Sequence, residues 1–114
     1  MGDLNNYIPD IIDQLKNINI NKVVLFGSLA NGTYDDGSDI DLLVILDSDQ
    51  ISQNFNERMN NKLLVRRAIY DISKEIPIDI LVYTKKEYEI IEKDNSSFFN
   101  EIALNGKVLY EKAS

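Results

Sequence analysis

Apolar residues at Leu4, Tyr7, Ile8, Ile11, Ile12, Leu15 and Ile18 recur in steps of three and four, which predicts an amphipathic helix. Pro9 falls in its first turn, where a missing N–H costs little. Asn17, Asn19 and Asn21 break the pattern, and Lys22 to Phe26 then reads as a buried, Val-rich strand ending at Gly27. A short helical turn is expected over 29–31. A loop carrying Gly32, Asp35, Asp36 and Gly37 follows. Asp39 to Leu46 reads as a second strand. Beyond its acidic start it is almost continuously apolar, so both of its faces should be covered.

Asp47-Ser48-Asp49 closes that strand and is placed to cap a helix. The stretch from Ile51 to Glu75 has no Pro or Gly. Phe55, Met59, Leu63, Leu64, Ala68, Ile69 and Ile72 space as one apolar stripe, so a long helix is expected there. Pro77 ends it, and Ile78 to Tyr83 is the third strand. Thr84 with Glu87 forms a capping box for a helix over 85–93. Asn95-Ser96 caps a second helix with Phe98, Phe99, Ile102 and Ala103 on one face, and Gly106 is its stop. Lys107 to Glu111 forms a last short strand. The order predicts a single α/β domain over 1–114, with a small mixed sheet flanked by helices.

Composition narrows the chemistry. Hydrophobic residues make up 44% of the 114, so the chain can bury a core and is not a disordered acidic tail. No apolar run is long enough to cross a bilayer, and no signal-peptide pattern opens the chain. With no Cys there is no thiolate metal site or Cys nucleophile. With no His there is neither a Ser-His-Asp triad nor a His-ligated metal. The net charge of −7 argues against direct nucleic-acid binding, and Arg66-Arg67 is too small a basic cluster to form a groove alone.

What chemistry remains is concentrated in Gly27-Ser28 and in Asp39-Ile40-Asp41, separated by Leu29 to Ser38. Two carboxylates two residues apart at a strand start project together. Like charges side by side repel unless a cation lies between them. Hard divalent cations such as Mg²⁺ take carboxylates together with substrate phosphates. A Gly-Ser turn offers backbone N–H groups and a hydroxyl to such a phosphate. The stretch thus proposes a metal–nucleotide site, although Asp39 and Asp41 by themselves read equally as a solvated strand end. Asp79, in Pro77-Ile78-Asp79-Ile80-Leu81, is an acid among apolar neighbours in a strand; alone, it reads also as an edge residue facing solvent. Lys85 and Lys86 either reach a triphosphate or form the polar face of a helix. Tyr34 and Tyr83 either stack on a base or pack.

Gly-Ser, a short spacer, Asp-x-Asp and a later strand carboxylate together resemble the DNA polymerase beta-type nucleotidyltransferases. Over essentially the whole chain the layout resembles the minimal nucleotidyltransferases (MNT) paired with HEPN-domain toxins. The resemblance implies that Asp39, Asp41 and Asp79 are catalytic and hold Mg²⁺, two ions in all, against ATP. It implies that Asp79 serves the acceptor side as metal ligand and general base. It implies also that Gly27 and Ser28 bind the nucleotide phosphates. Asn31 stands where the family often carries Arg or Lys.

The same resemblance implies a cytoplasmic antitoxin that forms a hetero-oligomer with a HEPN-type RNase toxin and transfers AMP to a tyrosine hydroxyl on it. Two alternatives stay open. One is an antitoxin that acts by binding alone. The other is an aminoglycoside-type nucleotidyltransferase that needs a helical partner subunit, because nothing in 114 residues supplies an acceptor domain.

Overall fold

The computed structural model describes residues 4–27, 39–94 and 97–112. A 3-10 turn over Leu4–Tyr7 leads into α1 (Ile8–Leu15), with Pro9 in its first turn as expected. Next come β1 (Ile20–Phe26) and β2 (Ile40–Leu46). They are followed by α2 (Phe55–Ala68), a short α3 (Tyr70–Ser73) and β3 (Ile78–Thr84). The chain continues through α4 (Lys85–Lys93) and α5 (Ser97–Asn105) to β4 (Lys107–Glu111). The four strands form one mixed sheet in the order β3-β2-β1-β4. β1 is antiparallel to both β2 and β4, whereas β2 and β3 run parallel.

Alternation along β2 divides the core into two layers. Ile40, Leu42, Val44 and Leu46 point to one face, where they pack with Ile11, Leu15, Val65, Ile69 and Ile80. Leu43 and Ile45 point to the other, against Val24 and Ile102, with Tyr88 and Phe99 at the margin. Every β2 residue from Leu42 onward is buried, as its apolar run requires.

The expected long helix over 51–75 is corrected in three ways. It starts at Phe55, because Asn54 adopts an extended backbone and its side chain accepts the Glu57 N–H at 3.0 Å. It breaks at Ile69, whose backbone leaves the helical region. Its buried positions are Val65 and Ile69, whereas Phe55, Met59, Leu63 and Leu64 are exposed. Asp47-Ser48-Asp49 caps no helix. Asp47 instead binds Lys112 and also receives Lys85 at 3.3 Å, which together hold its carboxyl below the ordinary range. The proposed cap at Asn95-Ser96 lies outside the described residues.

The Thr84 capping box is present. The Glu87 N–H donates to Thr84 Oγ1 at 3.1 Å, and the Thr84 N–H donates to Glu87 Oε1 at 2.8 Å. Glu87 also accepts the Ser52 N–H at 2.8 Å, so one buried carboxylate ties the loop before α2 to the start of α4. Gly106 stops α5 by donating its N–H to the Ile102 carbonyl at 2.8 Å. Among the described residues no helix is long and apolar enough to cross a membrane.

Candidate active site

Strand pairing brings the acids together. β2 and β3 pair in unbroken register, and Asp41 lies directly opposite Asp79. On the other side of β2, Phe26 of β1 is paired with Asp41. Gly27 therefore leaves the sheet at the level of the two carboxylates. By alternation Asp41 and Asp79 share the sheet face of Leu43, Ile45, Leu81 and Tyr83. Asp39 stands immediately before β2, one residue short of the strand expected for it.

Gly27 has a φ of 76°, in the left-handed region that glycine enters without a Cβ clash. It has a second reason to be glycine: a Cβ there would overlap Asp41 Oδ2 and lie 3.1 Å from Asp41 Cγ. The bare backbone is what lets the Asp41 carboxylate lie against Gly27. The sequence reading assigned Gly27 to close phosphate approach. The structure shows that the first group to approach it is the chain's own carboxylate.

The carboxyl of Asp41 is held above its ordinary value of 3.8. Partial burial is the main cause, followed by the negative charges of Asp79 and Asp39. Asp39 is half-buried, and Asp79 is exposed on the edge strand. Asp79 is thus an edge residue in solvent that lies beside Asp41 across the strand pair. Among the described residues no group of three acidic side chains is placed to hold a metal ion. The donor set is nevertheless all oxygen and anionic, and its mutual repulsion is the kind a hard divalent cation relieves. Ser28 lies outside the described residues, as do the turn over 29–31, the loop over 32–37 and Tyr34.

Two other proposed contacts are resolved. Lys85 and Lys86 sit past the far end of β3, about 20 Å along the strand from Asp79 at roughly 3.3 Å per residue. Lys85 pairs there with Asp47 and Asp49, and Lys86 with Glu89, so neither serves the acids. Tyr83 packs edge-on to Phe99, with ring centres 5.8 Å apart.

A cleft of about 180 Å³ opens beside Gly27, walled by Phe26, Phe98 and Ile102 and rimmed by Glu101 and Asn105. The rings of Phe26 and Phe98 meet edge-on at 5.9 Å. Sequence reading missed this cleft because it depends on where the end of α5 rests. A Cβ at Gly106 would come within 2.8 Å of Val24 Cγ1 and 2.5 Å of the Ile102 carbonyl, so the helix end is pressed closely onto β1.

Comparison with known proteins agrees with this arrangement. Residues 7–110 match the family described as nucleotidyltransferase domain. The chain is 32% identical over 91 residues to MJ0604 of Methanocaldococcus jannaschii, provisionally assigned as a protein adenylyltransferase. That match covers 80% of this chain and 79% of the relative. The fold is similar to that of a nucleotidyltransferase-class protein from Sulfolobus solfataricus, with a TM-score of 0.53 and 22% identity over 94% of this chain and 79% of that one. It is similar also to a chain of a toxin–antitoxin complex solved with AMP-PNP. There the TM-score is 0.54 with 18% identity, over 92% of this chain and 73% of that one. A match over nearly the whole chain, on a sheet that sets Gly27, Asp41 and Asp79 side by side, makes this chain a member of the nucleotidyltransferase domain family.

Proposed function

We propose that this chain is a Mg²⁺-dependent protein adenylyltransferase that acts as a cytoplasmic antitoxin. Its reaction moves AMP from ATP to a tyrosine hydroxyl of a HEPN-type RNase toxin. The observation that carries the reading is the pairing of Asp41 with Asp79 across parallel strands, with Gly27 pressed against Asp41. The 32% identity to a provisional protein adenylyltransferase supports AMP as the transferred group. The toxin–antitoxin neighbour with AMP-PNP supports a toxin as the partner and an adenine nucleotide as the donor.

Asp39, Asp41 and Asp79 would hold the Mg²⁺, which when bound shields the phosphate charges and lowers the acceptor hydroxyl's pKa. The acceptor oxygen attacks the α-phosphorus, the bond from that phosphorus to the bridging oxygen of the β-phosphate breaks, and pyrophosphate leaves. The acceptor proton passes to the carboxylate of Asp79, the more exposed of the paired acids. Asp41, partly buried and beside the charges of Asp79 and Asp39, gains from a cation. Gly27 and Ser28 bind phosphate. The aromatic cleft beside Gly27 receives the nucleoside.

The test is incubation of the purified chain with Mg²⁺, ATP and the protein encoded beside it, followed by intact-mass analysis. One or more AMP units should appear on the neighbour and disappear with Asp39→Asn plus Asp41→Asn, while the variant's circular dichroism stays unchanged. A stable complex without added mass would leave an antitoxin that works by binding. Transfer by the double variant would overturn the metal assignment.

A further inference from the structure

The two edges of the sheet differ. β4 is short, carries Lys107 and Glu111, and meets β1 through an irregular register between Val23 and Val24. Charge and a bulge of this kind block the addition of another strand. β3, at the opposite edge, has no such bulge. Its seven residues pair with β2 without a break, and Asp79 is its single charged residue. Among the described strands nothing pairs with its outer side, which leaves a row of backbone donors and acceptors open.

Beside that edge, α2 presents the row of side chains that its core packing does not use. Phe55, Met59 and Leu63 are exposed at helical spacing; Phe55 is 73% exposed. Between them and β3 lie two depressions, of about 260 and 340 Å³. One is floored by Ile80 to Tyr83 and the other by Ile78 and Ile80. A 14-residue helix is about 21 Å long, so the groove runs the length of a seven-residue strand. Its rim is basic in an acidic protein. α2 carries Arg58, Lys62, Arg66 and Arg67 against one acid, Glu57. Arg58 lies over the Tyr83 ring, and Lys62, Arg66 and Arg67 join none of the chain's ion pairs among the described residues.

We propose that this groove takes an extended, acidic and apolar segment of a partner protein as a fifth strand on β3. The open backbone edge asks for a strand, because a helix would leave those donors and acceptors unpaired. The apolar wall takes alternate side chains, and the three cations take the segment's carboxylates. A second copy of this chain fits poorly, since pairing β3 with β3 brings two basic α2 rims together.

Selection of a random phage-displayed peptide library on the immobilised full-length chain tests this. Enriched peptides are synthesised and measured by fluorescence anisotropy and amide hydrogen exchange. Enriched sequences should alternate apolar with acidic residues, and their binding should slow exchange in 78–84. Arg66→Glu with Arg67→Glu, both exposed, should weaken that binding at low salt about tenfold while β2 exchange stays unchanged. Three outcomes would each overturn the proposal. They are the absence of enrichment, protection of any region other than 78–84, and indifference to the charge reversal. A concentration-dependent dimer that protects the same amides would overturn the choice of occupant.

Discussion

Gly27 is constrained twice, by a φ of 76° and by the Asp41 carboxylate lying where a Cβ would be. Gly27→Ala therefore has to move the turn or the acid. A left-handed non-glycine residue costs about 1–2 kcal/mol, and the overlap adds to that. We expect a lower melting temperature together with a fall in AMP transfer of at least about tenfold, which 1.4 kcal/mol of lost positioning would produce. Lowered stability with full transfer would show that Asp41 has no fixed role. Asp41 itself makes a pH-dependent prediction. Its raised carboxyl means that the folded chain takes up a proton there more readily than the unfolded chain. Stability is thus lost as pH rises from 3.8 through the raised value, and the deficit is complete above it. In EDTA, Asp41→Asn should melt higher than the parent at neutral pH, with the gap closing once pH falls below 3.8. A gap that is constant with pH would place its cause outside this carboxylate's charge.

At the level of elements, the N-terminus of α4 is tied both to its own first turn and to the loop before α2. Thr84 and Glu87 cap one another, and Glu87 also holds the loop before α2 through the Ser52 N–H. Burial raises the Glu87 carboxyl, but the N–H donors of Thr84 and Ser52 outweigh burial and leave it below the ordinary range. Glu87→Ala would strand two backbone donors. It should cost about 3 kcal/mol in urea melts, given roughly 1.5–3 kcal/mol for each hydrogen bond to a charged group. Because this carboxyl is lowered, its contribution is present above the ordinary Glu value and is lost as pH falls through the lowered one. A loss under 1 kcal/mol would mean that water replaces the carboxylate. The capping box was legible because it is local: Thr84-x-x-Glu87 needs only its own backbone. Asn54-x-x-Glu57 bears the same kind of signal, and reading it would have started α2 at the right residue. The face of α2 was not legible. Two apolar stripes share that helix, one through Val65 toward the core and one through Phe55, Met59 and Leu63 toward the β3 edge. Spacing alone joined Phe55, Met59, Leu63 and Leu64, which are exposed, to Ala68, Ile69 and Ile72, which pack on the core.

Across the whole molecule, the sequence by itself determined the order of the four strands and of most helices between them, the three acids and the glycine. These follow from period-two and period-3.6 patterns and from short-range turn and cap chemistry, all of which act within a few residues. The sequence also located the acidic start of β2 and the lone acid of β3 without showing that they meet. Only the tertiary structure decided that β3 runs parallel beside β2 in the register that sets Asp79 opposite Asp41. Pairing register depends on contacts between segments some 40 residues apart, which no local pattern encodes. The tertiary structure also separated Lys85 from the acids, because parallel strands keep like ends together and Lys85 follows the far end. It alone pressed α5 onto β1 at Gly106 to open the cleft beside Gly27, and left the outer side of β3 unpaired among the described strands. Burial, register and edges belong to the packed assembly, where each segment's neighbours, not its own residues, set what is covered and what stays open.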